Sequence, residues 1–516
     1  MKSAAFLRLN TSVAILALSA STALADLTAQ DVWADWEGYL TSTGYTVSSR
    51  NTATAGGLRI DDLVLTMDVR DEMNDEEVIF NFTVNMGSLN FTEAGDGSVE
   101  IQLPQRMPMT IRGSDDDGGS GEVRFEMTQT NPKMRASGDP DALIYDYSTA
   151  LMKVALLDIT EDGEPISPEV VRFSANISNV VSKTVMENTD GLRSFDFDYT
   201  SQGLIYDFGF EDPEKNDRFN MTGGADALSM SGSVSLPTDI DPEDITLMVQ
   251  SGFSALIELS TLGGMTDING TESGSAIEVS ATSDKTTFGL ALSSEGVGYD
   301  IIQENISLNV AGDDIPLPIS TTASEASTGF LIPVLKSDAP QPFQFGMTLA
   351  DFTVPDFLWG MFDPAGQLPR DPATISLDIS GALKVLEDLL DPEVAERMDS
   401  EEDSPFELLS MVLDELAVYA VGASLYGTGD FTFDNSDTET FDGLPRPVGF
   451  VDLSVAGANT LLDTLVNMGL VSDDDAMGAR MMLSLFGVPG DKPDTIISRI
   501  EINEEGHVLA NGQRIQ

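Results

Sequence analysis

The chain has 516 residues, 41% of them apolar, with 86 acidic against 26 basic side chains and a formal charge of −60. A field of that sign repels nucleic acid and anionic lipid head groups, so it argues against DNA or RNA as a partner. With no cysteine, disulfides, catalytic thiols and thiolate metal sites are excluded, while the length and apolar content suffice for a core.

The opening residues carry Lys2 and Arg8, a short apolar run over 12–20, and small residues at Ala23 and Ala25 ahead of Asp26. That order predicts a secretory signal peptide over 1–25, cleaved between Ala25 and Asp26. The apolar run is shorter than the roughly 20 residues a spanning helix needs. No later window offers an uninterrupted apolar stretch of membrane length, so no transmembrane segment is expected in the mature chain. The expected location is the periplasm, or outside the cell.

After the leader, residues 27–40 predict a helix. Thr28 and Asp31 have capping-box spacing. Val32, Trp36, Tyr39 and Leu40 share one face, and Gly44 ends it. Two nearby tryptophans suit docking on a sheet, because aromatic side chains dominate core burial.

From about residue 45 to 349 the pattern changes to short alternating runs between Gly, Asp, Asn and Ser, as at 77–84, 121–127, 193–199, 228–236 and 306–310. Such alternation predicts strands with one dry and one wet side. Without regular intervening helices the sheets are antiparallel, which disfavours Rossmann-like and β/α-barrel enzymes. Residues 330–335 read as an edge strand inside a Pro-, Ser- and Thr-rich stretch, with a boundary near 340.

The last third is mixed. Residues 355–362 predict a short helix or apolar turn. A helix is expected over 382–398, with Leu383, Leu386, Leu389 and Leu390 on one face and Pro392 interrupting it. Ser404 and Pro405 have the chemistry of a second helix start. Residues 418–433 return to strand, and 458–470 and 474–486 predict two amphipathic helices. Ile496, Ile500 and Ile502 begin a closing hairpin, and Asn511-Gly512 is a strong turn signal. The expected fold class is therefore mainly β, a β-rich α+β arrangement: extended antiparallel sheets, an N-terminal helix and several helices in the C-terminal third. The expected organisation is a signal peptide over 1–25, a β-rich region over 26–340 and an α+β region over 341–516.

Chemistry is sparse. His507 is the sole histidine, sits beside a turn and is expected to face solvent, with no partner to orient it as a base. Nucleophile-elbow, S-x-x-K, phosphate-loop and zinc-protease motifs are absent. No catalytic or cofactor-binding residue is assigned. The best oxygen-rich loop, over 113–122, makes Asp115, Asp117 and Glu122 weak candidates for Ca²⁺. A polar turn between strands near Met109 and Phe125 explains the same residues.

The segment DVWADW at 31–36, the run Gly443-Leu444-Pro445-Arg446-Pro447-Val448-Gly449-Phe450, Asn467-Met468-Gly469-Leu470 and Gly506-His507-Val508-Leu509-Ala510-Asn511-Gly512 together resemble a proteobacterial envelope family, domain of unknown function 2125. The C-terminal end is also similar, more weakly, to AsmA-like periplasmic proteins, which are associated with lipid homeostasis and outer-membrane assembly. The resemblance implies an envelope location and supplies no catalytic residues. The N-terminal membrane anchor of the AsmA kind is not matched, which departs from a bridge between membranes.

The functional expectation is a secreted, non-enzymatic protein that binds an apolar ligand such as a lipid, or an envelope partner, along a sheet incompletely covered by helices. The alternatives are an acidic, adhesin-like surface protein and a carboxylate-dependent hydrolase of envelope polysaccharide.

Overall fold

A computed structural model describes residues 27–516, apart from 74–75, 116–118, 190, 213–214, 239, 241–243, 393, 395–396 and 398–403. Strand occupies 65% of it, in one large antiparallel sheet, and helix 12%. The first block runs β1 (Thr46–Thr54), β2 (Gly57–Met73), β3 (Glu76–Glu93), β4 (Val99–Gln102), β5 (Arg106–Asp115), β6 (Ser120–Thr130), β7 (Lys133–Asp139) and β8 (Ala142–Glu161). The second runs β9 (Glu164–Ile166), β10 (Val171–Thr189), β11 (Leu192–Ser201), β12 (Leu204–Asp212), β13 (Asp217–Ala225), β14 (Ala227–Pro237), β15 (Ser254–Glu272), β16 (Ser275–Ser293), β17 (Gly296–Gly312) and β18 (Ile319–Ile332). The third runs β19 (Gln341–Phe352), β20 (Ala373–Val385), β21 (Phe406–Ala420), β22 (Ala423–Asp434), β23 (Arg446–Ala456), β24 (Val488–Pro489), β25 (Thr495–Ile502), β26 (Val508–Ala510) and β27 (Gln513–Arg514). The helices are α1 (Ala29–Ser42), α2 (Ile245–Gln250), α3 (Asp356–Phe362), α4 (Ala458–Asn467) and α5 (Asp473–Phe486).

The sheet is a ladder in which each strand turns back beside the one before it. Where two strands fill one rung they lie end to end: β4 and β5 along β3, β7 and β6 along β8, β11 and β12 along β10. From β15 onward each long strand pairs directly with the next, through β18 and β19 across residue 340, to β23 and β25. Among the described residues β1 pairs only with β2, so the ladder is open.

A seam of irregularities crosses the rungs at mid-length. Asp62, Asn179, Asn305 and Asp351 take positive φ there, as do Gly87, Gly203 and Gly263. Asn and Asp tolerate that region better than other side chains. Neighbouring seam residues bond to one another: Asn179 Nδ2 donates to Gln202 Oε1 at 3.3 Å, Asn305 Nδ2 to Asp284 Oδ2 at 2.9 Å, and Ser324 Oγ to Asp351 Oδ2 at 2.9 Å. At Asn179 and Asn305 the alternation is interrupted and restarts beyond the residue, while the pairing keeps its register. In β10, Phe173, Ala175 and Ile177 precede Asn179, while Val180, Ser182 and Thr184 continue the same face beyond it.

Helix α1 forms for the reasons its sequence states. Asp31 N donates to Thr28 Oγ1 at 3.2 Å and Thr28 N to Asp31 Oδ2 at 3.0 Å, closing the capping box. Val32 is buried and Trp36 and Leu40 pack against the same core, as expected. Trp33 is buried as well; the 33, 36, 40 spacing places it on the same stripe. Helices α3, α4 and α5 and the closing hairpin also stand where the sequence places them.

Three expectations are corrected. The helix expected over 382–398 is not formed at its start: β20 continues through Leu383 to Val385, flanked on both sides by β19 and β21. Only Pro392, Val394 and Arg397 are helical among the described residues of that span. Ser404 and Pro405 lead into strand β21 rather than a helix, because β20 and β22 both pair with it. In each case ladder hydrogen bonds on two edges outweigh a helix preference of a few tenths of a kcal/mol per residue, roughly. Residues 330–332 end β18, an interior strand paired with β17 and β19, not an edge.

Candidate functional site

Residues directly opposite in an antiparallel pair project to the same side, so the register traces the sheet's faces. One face is apolar almost from end to end. Ile257, Leu290 and Tyr299 stand opposite one another in sequence across β15, β16 and β17. Tyr299 then meets Phe330, Phe330 meets Phe345 and Phe345 meets Ile379. Ile379 meets Leu413, and beside them Ile375 meets Val418, Val418 meets Leu425 and Leu425 meets Val455. Beyond the seam a second row joins Phe173, Phe208, Met221, Ile268, Val279 and Val310 by the same pairing. Aromatic rings interlock along it, with Tyr299 centred 5.5 Å from Phe288 and 5.8 Å from Phe330.

Among the described residues, α1 lies over this face at one end and α4 and α5 at the other. At the first end, α1 buries Trp33 (4% exposed) against Phe91 (1%), with Ile60, Leu89, Leu143 and Met186 in the same cluster. A buried polar contact fastens the helix. Arg193 Nη2 on β11 donates to Asp35 Oδ2 of α1 at 2.9 Å, and Tyr145 Oη donates to the same oxygen at 3.2 Å. The Arg193 guanidinium also lies 4.8 Å from the Tyr39 ring centroid and 5.1 Å from that of Phe195. Burial raises the Tyr145 phenol, and the Asp35 carboxylate raises it further.

Between the ends the same apolar rows lie open. Leu290 is 43% exposed, Met347 40% and Phe345 38%. The accessible surface of the chain, 29963 Å², compares with roughly 18,000 Å² for a compact globule of this mass. A second layer over the middle rungs would have buried these side chains.

At the far end α4 and α5 roof the face over β21, β22, β23 and β25. Asp494 at the start of β25 anchors α4, accepting from Asn459 N at 3.1 Å and Thr460 N at 2.9 Å. Ser472 caps α5 by accepting from Asp475 N at 3.1 Å. Arg480 of α5 clasps Asp463 of α4 at 2.5 Å. The roof does not close down as α1 does; it leaves a cavity of about 830 Å³. Leu425, Val455 and Ile496 form its floor, and Leu462, Met482 and Phe486 its roof. Polar side chains enter the lining only as Ser424 and Ser498, and the Ser498 hydroxyl is donated to Phe486 O.

The opposite face is the more polar one, although Ile205, Leu262, Met265 and Tyr426 stand exposed on it. It carries ion pairs between neighbouring strands, such as Arg112 with Glu122 at 2.7 Å, Arg172 with Asp207 at 2.8 Å and Arg499 with Asp452 at 2.9 Å. It also holds Asp300 and Asp378, separated by Gly329 and Gly346 on successive strands. Burial raises both carboxyls above their usual range, with Glu258 adding to the first and Glu415 to the second. The crevice between them measures about 10 Å³, room for about one water molecule and not for a sugar ring.

The residues singled out in the sequence are scattered. Ala25, Asp26 and Asp117 lie outside the described residues. Asp115 ends β5, and Glu122 on β6 is bonded to Arg112 and lies 3.8 Å from Arg124. Among the described residues no three His, Cys, Asp or Glu side chains gather as a metal site. His507 is half-buried in the closing turn; its backbone N donates to Asn503 Oδ1 at 3.0 Å. The cavity was missed in the sequence, although its signal was present: two amphipathic helices follow strands whose apolar face already needed cover. Among the described residues no helix is long and apolar enough to cross a membrane. No family model, no curated protein and no solved structure matches the chain.

Proposed function

We propose that this chain is an exported, non-enzymatic binding protein of the cell envelope that holds a lipid-like apolar ligand along the uncovered face of its sheet. The observation that carries the reading is the pair of apolar rows that continue in register across the middle rungs and leave Leu290, Phe345 and Met347 exposed. Exposed apolar surface on this scale marks a site for a ligand or partner. Extended hydrocarbon suits it, since a long face with no convergent polar groups offers shape and area rather than hydrogen-bonded recognition. The leader-like opening and the acid-rich exterior fit export and a hydrated outer surface.

The test is native mass spectrometry of the protein recovered from the compartment it is exported to, alongside uptake of the uncharged dye Nile red. Co-purified lipid, lost on mild organic extraction together with a gain in dye binding, is the expected result. Repeated recovery of lipid-free protein that takes up no dye would overturn the reading.

A further inference from the structure

Resting on that reading, we propose that the chamber beneath α4 and α5 receives the end of one hydrocarbon chain, and that the ligand's head group carries no net negative charge. The chamber's volume of about 830 Å³ falls inside the range of roughly 300–1,000 Å³ of small-ligand pockets. It communicates with the open face by register. Val418 of its lining stands opposite Ile375, which is 40% exposed and in turn opposite Leu349. A chain lying along the open rows therefore runs into it without leaving apolar surface.

The charge argument is separate. Neither lysine, arginine nor histidine lines the chamber. Arg480 of the roof is engaged by Asp463, and Arg499 lies on the opposite face, 3.8 Å from the Phe450 ring centroid and bonded to Asp452. Three aspartates open α5, and the whole chain carries −60. An anionic head group left outside the chamber mouth would find no counter-charge among these residues and would meet the field of a chain of its own sign. An uncharged or zwitterionic one escapes that repulsion.

The experiment uses the full-length protein loaded with Nile red and displaced by dodecanol or by dodecanoate. At pH about 8 the acid is ionised, and dodecanol is expected to displace the dye at a concentration about tenfold lower or more. Leu425→Trp and Ala479→Phe fill the chamber and are expected to weaken dodecanol by about tenfold, while Phe345→Asp on the open face weakens dye uptake. Equal displacement by the two competitors, or unchanged dodecanol affinity in a filled variant that melts like the parent, would sink the proposal while leaving the open-face reading intact. No dye uptake at all sinks both. If neither filled variant folds, a diazirine-bearing dodecanol decides on the parent protein: labels on α4 and α5 support the chamber, and labels confined to β15–β19 refute it.

Discussion

The end beneath α1 and the open middle rungs carry the same alternating apolar pattern, yet they end in opposite states. Phe91 and Phe345 both belong to the apolar face, one sealed by a capped helix and the other left to solvent. The alternation thus specifies that a side is apolar and says nothing about what covers it. Cover at the first end is further secured by the buried Asp35, Arg193 and Tyr145 contact at mid-helix, whereas Asp494 and Ser498 hold α4 and α5 only at their ends and a chamber remains.

Truncation should separate the two regions most widely. Phe91→Ala is expected to cost about 3–5 kcal/mol, because it opens a cavity in a closed core. Phe345→Ala should cost about 1 kcal/mol or less, since its ring is already partly hydrated. Equal shifts of the two urea midpoints would mean that the middle rungs are covered after all. Next in size, Asp35→Ala leaves the Arg193 guanidinium buried without its partner. With Arg193 retaining some exposure, the loss should fall near the lower end of the usual range for broken buried pairs, about 3 kcal/mol. Circular dichroism melts read it, and an unchanged melting point would show that α1 is held by its apolar face alone.

A smaller effect is expected at the seam. Asn305 has φ of 50°, so Asn305→Val should lose about 1–2 kcal/mol while Asn305→Gly stays near the parent. Similar losses in both would assign the role to the Asn305–Asp284 hydrogen bond instead. The gentlest probe is alkaline pH. Burial pushes the Tyr147 phenol up to about 12, and its hydroxyl donates to Gln129. A proton held more tightly in the folded state stabilises fully below the unfolded value of about 10, and that stabilisation is lost as pH rises through about 12. Tyr145 shifts in the same direction. Urea midpoints followed by tyrosinate absorbance should therefore fall above pH about 10, with the α1 end loosening before the middle rungs.

Much of the fold was legible. The capping box at Thr28, the paired strands around Met109 and Phe125 and the helices over 458–470 and 474–486 all follow from local spacing. The reading failed at Leu383, in a leucine-rich segment with helical spacing, and at Phe406, just after the helix-start chemistry of Ser404 and Pro405; both are strands because neighbours pair with both of their edges. The chamber was illegible for the same kind of reason: Leu425 and Phe486 are 61 positions apart in the chain, and only the docking of α5 brings them around one space.

By itself the sequence determined the polarity of each face, the capping of the terminal helices and the sign of the surface charge, because each depends on residues within one or two turns or on composition alone. Tertiary structure decided which rungs are covered, where the seam runs and how closely each helix settles on the sheet. Those depend on register between segments and on the distance between layers, and local residue spacing encodes neither.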